Sequence, residues 1–246
     1  MIRYRSAWSL RVADCWYARD AGGVKADIFR FLHLAEPLEG CSVQTAETVR
    51  LDLARTEDEL LADMPKSNRN HLRKAADCGF RYEFWFPAPK SATLELCEKV
   101  RTSAPEILQA YAEQGALDIS RVSDQNGRPL AWRAHYRDPV HARAIYSATL
   151  PEEQPDPALR NLLARARRHH YWEDIRRFRG GGIQAYDFGR RYAETDDQSL
   201  LAENFFQDGF GGGLAKTYSC TRAGSLRGRV VLALNIFFPF VSDSGC

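Results

Sequence analysis

The sequence predicts an α+β fold in which helices pack on a mixed, mostly antiparallel sheet. Three observations carry this. The first fifty residues alternate apolar and polar side chains in short runs. Asn126-Gly127 joins two further runs as a tight hairpin. The one long helical stretch, about 158–178, lies among strands without the regular strand–helix repeat of a parallel sheet.

In order along the chain, Leu10–Tyr17, Ile28–Leu34 and Val49–Leu53 alternate as strands, separated by turn signals at Gly22-Gly23 and Glu36–Gly40. Thr56 with Glu59 three residues on makes a capping box, in which the two side chains tie off free backbone N–H groups, so a helix is expected from about 57 to 64. A second helix is expected over about 67–78, with Gly79 as its C-cap ahead of the strand-like Phe80–Phe86. Pro89 to Ala116 reads as one or two helices broken near Ala104-Pro105. Their apolar faces carry Leu94, Cys97 and Val100, then Ile107, Leu108 and Tyr111. Ile119–Ser123, Leu130–Tyr136 and Ala142–Leu150 form a meander around the Asn126-Gly127 turn. The long helix closes at Gly180-Gly181-Gly182, before a strand at Ile183–Asp187. Ser199–Phe206 is helical by period, Gly209–Gly213 a tight loop and Leu214–Tyr218 a strand. The apolar run Val230–Val241, interrupted by Asn235 and Pro239, is too short to span a bilayer and reads as a buried strand or terminal core segment, with a membrane-surface contact as the other reading. No boundary signal interrupts the chain, so one domain over 1–246 is expected, with a helical insertion at about 57–116.

Composition narrows the class of function. Hydrophobic residues at 44% and charged residues at 27% describe an ordinary globular chain and exclude disordered, collagenous and coiled-coil classes. A formal net charge of +2 argues against coating nucleic acid by bulk charge. The six cysteines form no C-x-x-C pair, and His169 and His170 are adjacent rather than a turn apart, so reduced thiols and no metal site are expected. Arg11 and Asp14 break any apolar stretch behind the basic N-terminus; no signal peptide, no transmembrane segment and a cytoplasmic location are expected. The phosphate-loop, dinucleotide-binding, nucleophile-elbow and H-E-x-x-H signatures do not occur.

Three segments carry chemistry. Lys66, Arg69 and Arg73 recur at i, i+3 and i+7, which puts three cations on one helix face suited to phosphates or simply to solvent. Tyr171 to Gly189 is a helix, a glycine turn and a strand that ends in Tyr186-Asp187-Phe188-Gly189, where the carboxylate is either a site residue or a turn former. Phe206 to Gly212 is glycine-rich enough for a ligand to approach the backbone. In this order and spacing, Arg69, Arg73 and Lys74 ahead of Gly79, then Trp172-x-x-Ile175 leading to Tyr186-Asp187-Phe188-Gly189, then Phe210-Gly211-Gly212, the chain resembles the FemABX-type, peptidoglycan-bridge aminoacyltransferase-like branch of the GNAT acyltransferases over roughly residues 45–222. The resemblance implies a GNAT-like sheet in a single GNAT unit, and acyl transfer to an amine. Two positions depart from the family: Arg190 replaces the second glycine after Asp-Phe-Gly, and Gln207 stands where the family usually carries lysine.

The mechanism that the resemblance implies is direct attack of an amine on an activated carbonyl, with backbone donors from a splayed sheet and no nucleophilic Ser or Cys. Asp187 is the first candidate to accept the amine proton, with Asp118 and His135 behind it. Tyr146 and Tyr186 are candidates to position acceptor or carbonyl, Gly211 to let substrate approach, and Arg69, Arg73, Arg160 and Lys216 to meet phosphate or carboxylate. The expected donor substrate is aminoacyl-tRNA or acyl-CoA, with no permanently bound cofactor. The expected acceptor is a nucleotide- or lipid-linked sugar or peptide of the cell wall, with tRNA a candidate macromolecular partner. Two other readings stand beside this one: an acyl-CoA-dependent N-acyltransferase of a small amine or amino sugar, and a non-catalytic precursor-binding protein of the same fold.

Overall fold

The computed structural model describes residues 2–7, 10–99, 105–150, 156–192 and 195–234. Along the chain these form β1 (Ile2–Ala7), β2 (Leu10–Trp16), β3 (Ile28–Leu34), β4 (Ser42–Asp52), α1 (Glu57–Asp63), α2 (Lys66–Ala76), β5 (Arg81–Trp85), α3 (Lys90–Lys99), α4 (Pro105–Glu113), β6 (Leu117–Ser123), β7 (Pro129–Arg137), β8 (His141–Thr149), α5 (Pro157–Gly180), β9 (Ala185–Arg191), α6 (Gln198–Asp208), β10 (Gly213–Ala223) and α7 (Leu226–Ala233). The class is α+β with a mostly antiparallel sheet, as the sequence predicts. Where the sequence predicts one domain over 1–246, the chain divides into two compact units; their described residues fall within 2–48 with 215–234, and within 49–214.

In the first unit the strand order is β1-β2-β3-β10-β4. β1 runs antiparallel to β2, β2 parallel to β3, and β3 antiparallel to β10. Alternation sorts the side chains: Ala13, Cys15, Phe29, Phe31 and Cys220 bury into one cluster, and Leu10, Val12 and Ile28 into another, against Val231 and Leu232 of α7. Of the segment expected over Val230–Val241 only residues 230–234 are described; through Ala233 they are helical rather than extended, and Val231 and Leu232 pack against the core as a terminal core segment would. Leu226–Ala233 is a helix started by Ser225, whose hydroxyl accepts the Gly228 N–H at 3.2 Å, and Val230 is 51% exposed. Residues 235–241 lie outside the described residues.

In the second unit the order is β4-β9-β8-β7-β6-β5. β5, β6, β7 and β8 pair antiparallel in succession, and β8 pairs parallel with β9 through the crossover helix α5. The Thr56–Glu59 capping box forms as expected, with Thr56 N–H donating to Glu59 at 2.7 Å. The hairpin turns at Gly127, φ +84°, where Asp124 accepts the N–H groups of Asn126 and Arg128. α2 ends at Asp77 as C-cap, and Gly79, φ +67°, follows two residues later. The apolar face expected for α3 is corrected: Ala92, Thr93 and Leu96 are buried, whereas Leu94 is 42% exposed. Glu95 sets that rotation, because it accepts Trp132 Nε1 at 2.9 Å and also pairs with Arg121. Val100 and the expected break at 104 lie outside the described residues. β9 starts two residues later than expected because Ile183 still belongs to the helix end, its N–H bonded to Phe178 O at 3.1 Å.

Candidate active site

The parallel pairing of β8 and β9 is short. Only His141↔Ala185, Ala142↔Tyr186 and Arg143↔Asp187 are in register, although β8 continues to Thr149 and β9 to Arg191. Two local irregularities open the strands. β8 carries a bulge against β7, where Ala134↔Tyr146 is followed by His135↔Ala144, and Gly189 adopts φ +103°. At the point of parting, Asp187 replaces the missing ladder partner: its Oδ1 accepts the Gly189 N–H at 2.9 Å and pairs with Arg143, while Arg50 stands 3.6 Å from Oδ2. A Cβ at Gly189 would press on Ala144 O at 3.3 Å. The Asp187-Phe188-Gly189 motif is thus the device that ends a parallel ladder and leaves two strand edges facing each other.

Beneath α5 the same sheet is polar. In register across β6, β7 and β8 stand two rows, Asp118↔His135↔Ala144 and Ser120↔Arg133↔Ser147, and paired residues share a sheet face. Asp174 of α5 closes over them. Its carboxylate takes Arg133 Nη1 at 2.5 Å and Tyr82 OH at 2.8 Å, with His135 Nε2 at 3.4 Å. His170, one helical turn earlier, meets Ser120 Oγ at 2.7 Å. The Arg133 guanidinium lies over the Tyr171 ring at 3.3 Å, and His135 Nε2 is 3.1 Å from Tyr186 OH. Asp118, Arg133, His135, His170 and Asp174 are each at most 1% exposed.

Burial governs the protonation of this cluster. It works against the Asp174 carboxylate, but the buried Arg133 charge, with the dipoles of the neighbouring His170 and His135 imidazoles, outweighs it and holds the group below the usual carboxylate range. Burial depresses both imidazoles, so His135 and His170 are neutral near pH 7. Asp118 goes the other way: burial pushes it up to about 6, although Arg137 donates to it at 2.9 Å. Asp118 Oδ1 and His135 Nδ1, on facing strands, have no hydrogen-bond partner among the described residues.

The residues singled out from sequence do not form one constellation. Asp118, His135 and Tyr186 come together under α5. Asp187 sits at the ladder end, and Tyr146, opposite Ala134, lies on the sheet face away from His135. Arg69 has a structural task, since its guanidinium collects the Leu61, Ala62 and Met64 carbonyls at the end of α1. Arg73 is exposed and bonds Asn70 at 2.8 Å; Arg160 is exposed in the first turn of α5. Gly211, φ +79°, answers to packing, because a Cβ there would come within 2.9 Å of Asp63 Cβ. Lys216 is exposed and belongs to the first unit. Gln207 is fully buried beside Glu203, which pairs with Arg167. Sequence reasoning missed Asp174, Arg133 and His170. The signal was present: Tyr171, Asp174, Ile175 and Phe178 share one helix stripe, so a carboxylate stood at a core position. Among the described residues no group of three or more His, Cys, Asp or Glu is placed to hold a metal ion, and no helix is long and apolar enough to cross a membrane.

No family model matches the chain, and no curated protein matches it. Among solved structures it is similar to FemX, with a TM-score of 0.62 and 12% identity over 95% of this chain and 86% of that one. It is also similar to the C-terminal domain of a putative lysylphosphatidylglycerol synthetase from Agrobacterium fabrum, TM-score 0.55 and 11% identity over 94% and 83%. L-PGS from Bacillus licheniformis gives 0.51 and 10% over 94% and 84%. At these identities the likeness is one of fold.

Proposed function

We propose that the chain transfers an aminoacyl group from aminoacyl-tRNA to an amine of a cell-envelope precursor. The observation that carries this reading is the parting of β8 and β9 at Asp187-Phe188-Gly189, which sets two backbone edges facing each other for an extended substrate. The fold shared with FemX and with a lysylphosphatidylglycerol synthetase supports it. The start of α5 weighs against acyl-CoA as donor. There Asp156 already accepts the Leu159 N–H at 2.8 Å and Pro157 has no N–H, so a diphosphate would meet a carboxylate and few donors.

In the proposed step the acceptor nitrogen attacks the ester carbonyl, the C–N bond forms, and the C–O bond to the tRNA ribose breaks as that oxygen leaves with a proton. Asp118, the buried carboxyl poised near neutral pH beside neutral His135, takes the ammonium proton and returns it to the departing ribose oxygen, so that one proton passes from nitrogen to oxygen in each turnover. Asp187, already held by Arg143 and Gly189, serves as a positioning residue for the strand edge.

The test is transfer of a labelled amino acid from a charged tRNA pool to cell-envelope precursors, run beside labelled acyl-CoA. Transfer from tRNA alone is expected; transfer from acyl-CoA alone overturns the donor, and none from either overturns the reading. Asp118→Asn should lower kcat at least about 100-fold with KM little changed. The buried Gln207 favours one alternative, a precursor-binding protein without turnover, which tight precursor binding and no transfer would identify.

A further inference from the structure

α2 and α5 pack along each other, with Asn68, Leu72 and Ala75 of α2 buried. On one flank of that contact four basic side chains gather. His71 and Lys74 lie one turn apart on α2, and Arg165 and Arg168 one turn apart on α5. Arg168 is fixed from below, its Nε donating to Asn68 Oδ1 at 3.0 Å, and Arg165 reaches Cys78 at 3.9 Å. Among the described residues none of the four forms an ion pair with a carboxylate. Burial and then Arg168, Lys74 and Arg165 hold the His71 imidazole below its ordinary value, as expected of a group surrounded by cations. Lys66, Arg69 and Arg73, the stripe that periodicity singles out, occupy a different flank of α2 and take no part.

We propose that this seam is a docking surface for the phosphate backbone of RNA. Guanidiniums that form no ion pair among the described residues suit phosphate oxygens, and the cluster is local, so it coexists with a nearly neutral chain. A lipid surface would also attract cations, but it calls for large apolar side chains among them. None of the exposed large apolar residues lies on α2 or α5. The identity of the RNA, the tRNA body behind a charged end, rests on the function proposed above; the surface itself does not.

The test is binding of uncharged, fluorescently labelled tRNA across a salt series, so that it reads the seam independently of transfer. Lys74→Glu with Arg165→Glu should weaken binding at least tenfold and lower the salt slope by about two. The same charge change at exposed Lys25 and Arg227 should cost less than threefold. An unchanged melting profile must accompany the seam variant; if it unfolds, Lys74→Gln with Arg165→Gln replaces it and should weaken binding at least threefold. Equal losses in both variants, or none in the seam, overturn the proposal. So does binding of phosphatidylglycerol vesicles without binding of tRNA. A chain that binds tRNA through the seam yet transfers nothing overturns the proposed function and leaves the seam standing.

Discussion

The two units bury charge in different ways. In the first, Asp14 and Arg30 face each other in register across β2 and β3, 2.5 Å apart, and their side chains are almost wholly inaccessible. In the second, Asp174 gathers an arginine, a tyrosine and two histidines from two strands, β5 and β7, and its own helix. The first is a two-residue pair within one sheet, which a packed apolar pair could replace. The second cluster is open-ended: Asp118 and His135 keep buried atoms with unused hydrogen-bonding capacity, which a protein tolerates where a ligand or a proton is to be handled.

Removing Asp174 is the severest way to probe this contrast. Asp174→Ala strands the Arg133 charge in the interior and should cost about 3–5 kcal/mol in denaturant unfolding. The paired replacement Asp14→Leu with Arg30→Met should by contrast be near neutral; a loss as large as that of Asp174→Ala would erase the distinction. Next comes pH. Asp118 binds its proton more tightly folded, at about 6, than unfolded, near 3.8, so its contribution to stability is complete below pH 4 and fades as pH rises through 6. The change should reach about 3 kcal/mol. Asp118→Asn should flatten the stability profile between pH 4 and 6, and an unaltered profile would show Asp118 ordinary. Tyr82→Phe, which deletes one bond to the Asp174 carboxylate, should cost about 2 kcal/mol. The smallest effect belongs to the first unit: Ser225→Ala removes the cap of α7 and the bond to Asp27, for about 1 kcal/mol of unfolding free energy.

Much of this molecule was legible because the relevant forces are local. Thr56 and Glu59 cap α1, Asp124 and Gly127 make the hairpin, and the alternation in Ile28–Leu34 marks β3 to the residue, since each signal acts within a few positions of the chain. The failures are equally instructive. α3 had two plausible faces, and Glu95 chose between them by reaching Trp132 and Arg121 on neighbouring strands. Val230 looked like core by composition, yet among the described residues of that run it is Val231 and Leu232 that turn inward once the helix sets their direction.

The candidate site divides along the same line. Sequence by itself determined that a carboxylate and a glycine close the strand after the long helix, that cations cluster on helical segments, and that the chain is α+β. Only tertiary structure decided that Arg69 ties off a helix end while Arg165 and Arg168 meet His71 and Lys74, and that Asp118, His135 and Asp174 share one buried space. The reason is physical. Capping and turn formation are settled between neighbours in the chain, whereas the protonation and pairing of buried groups depend on desolvation by strands and helices far away in sequence.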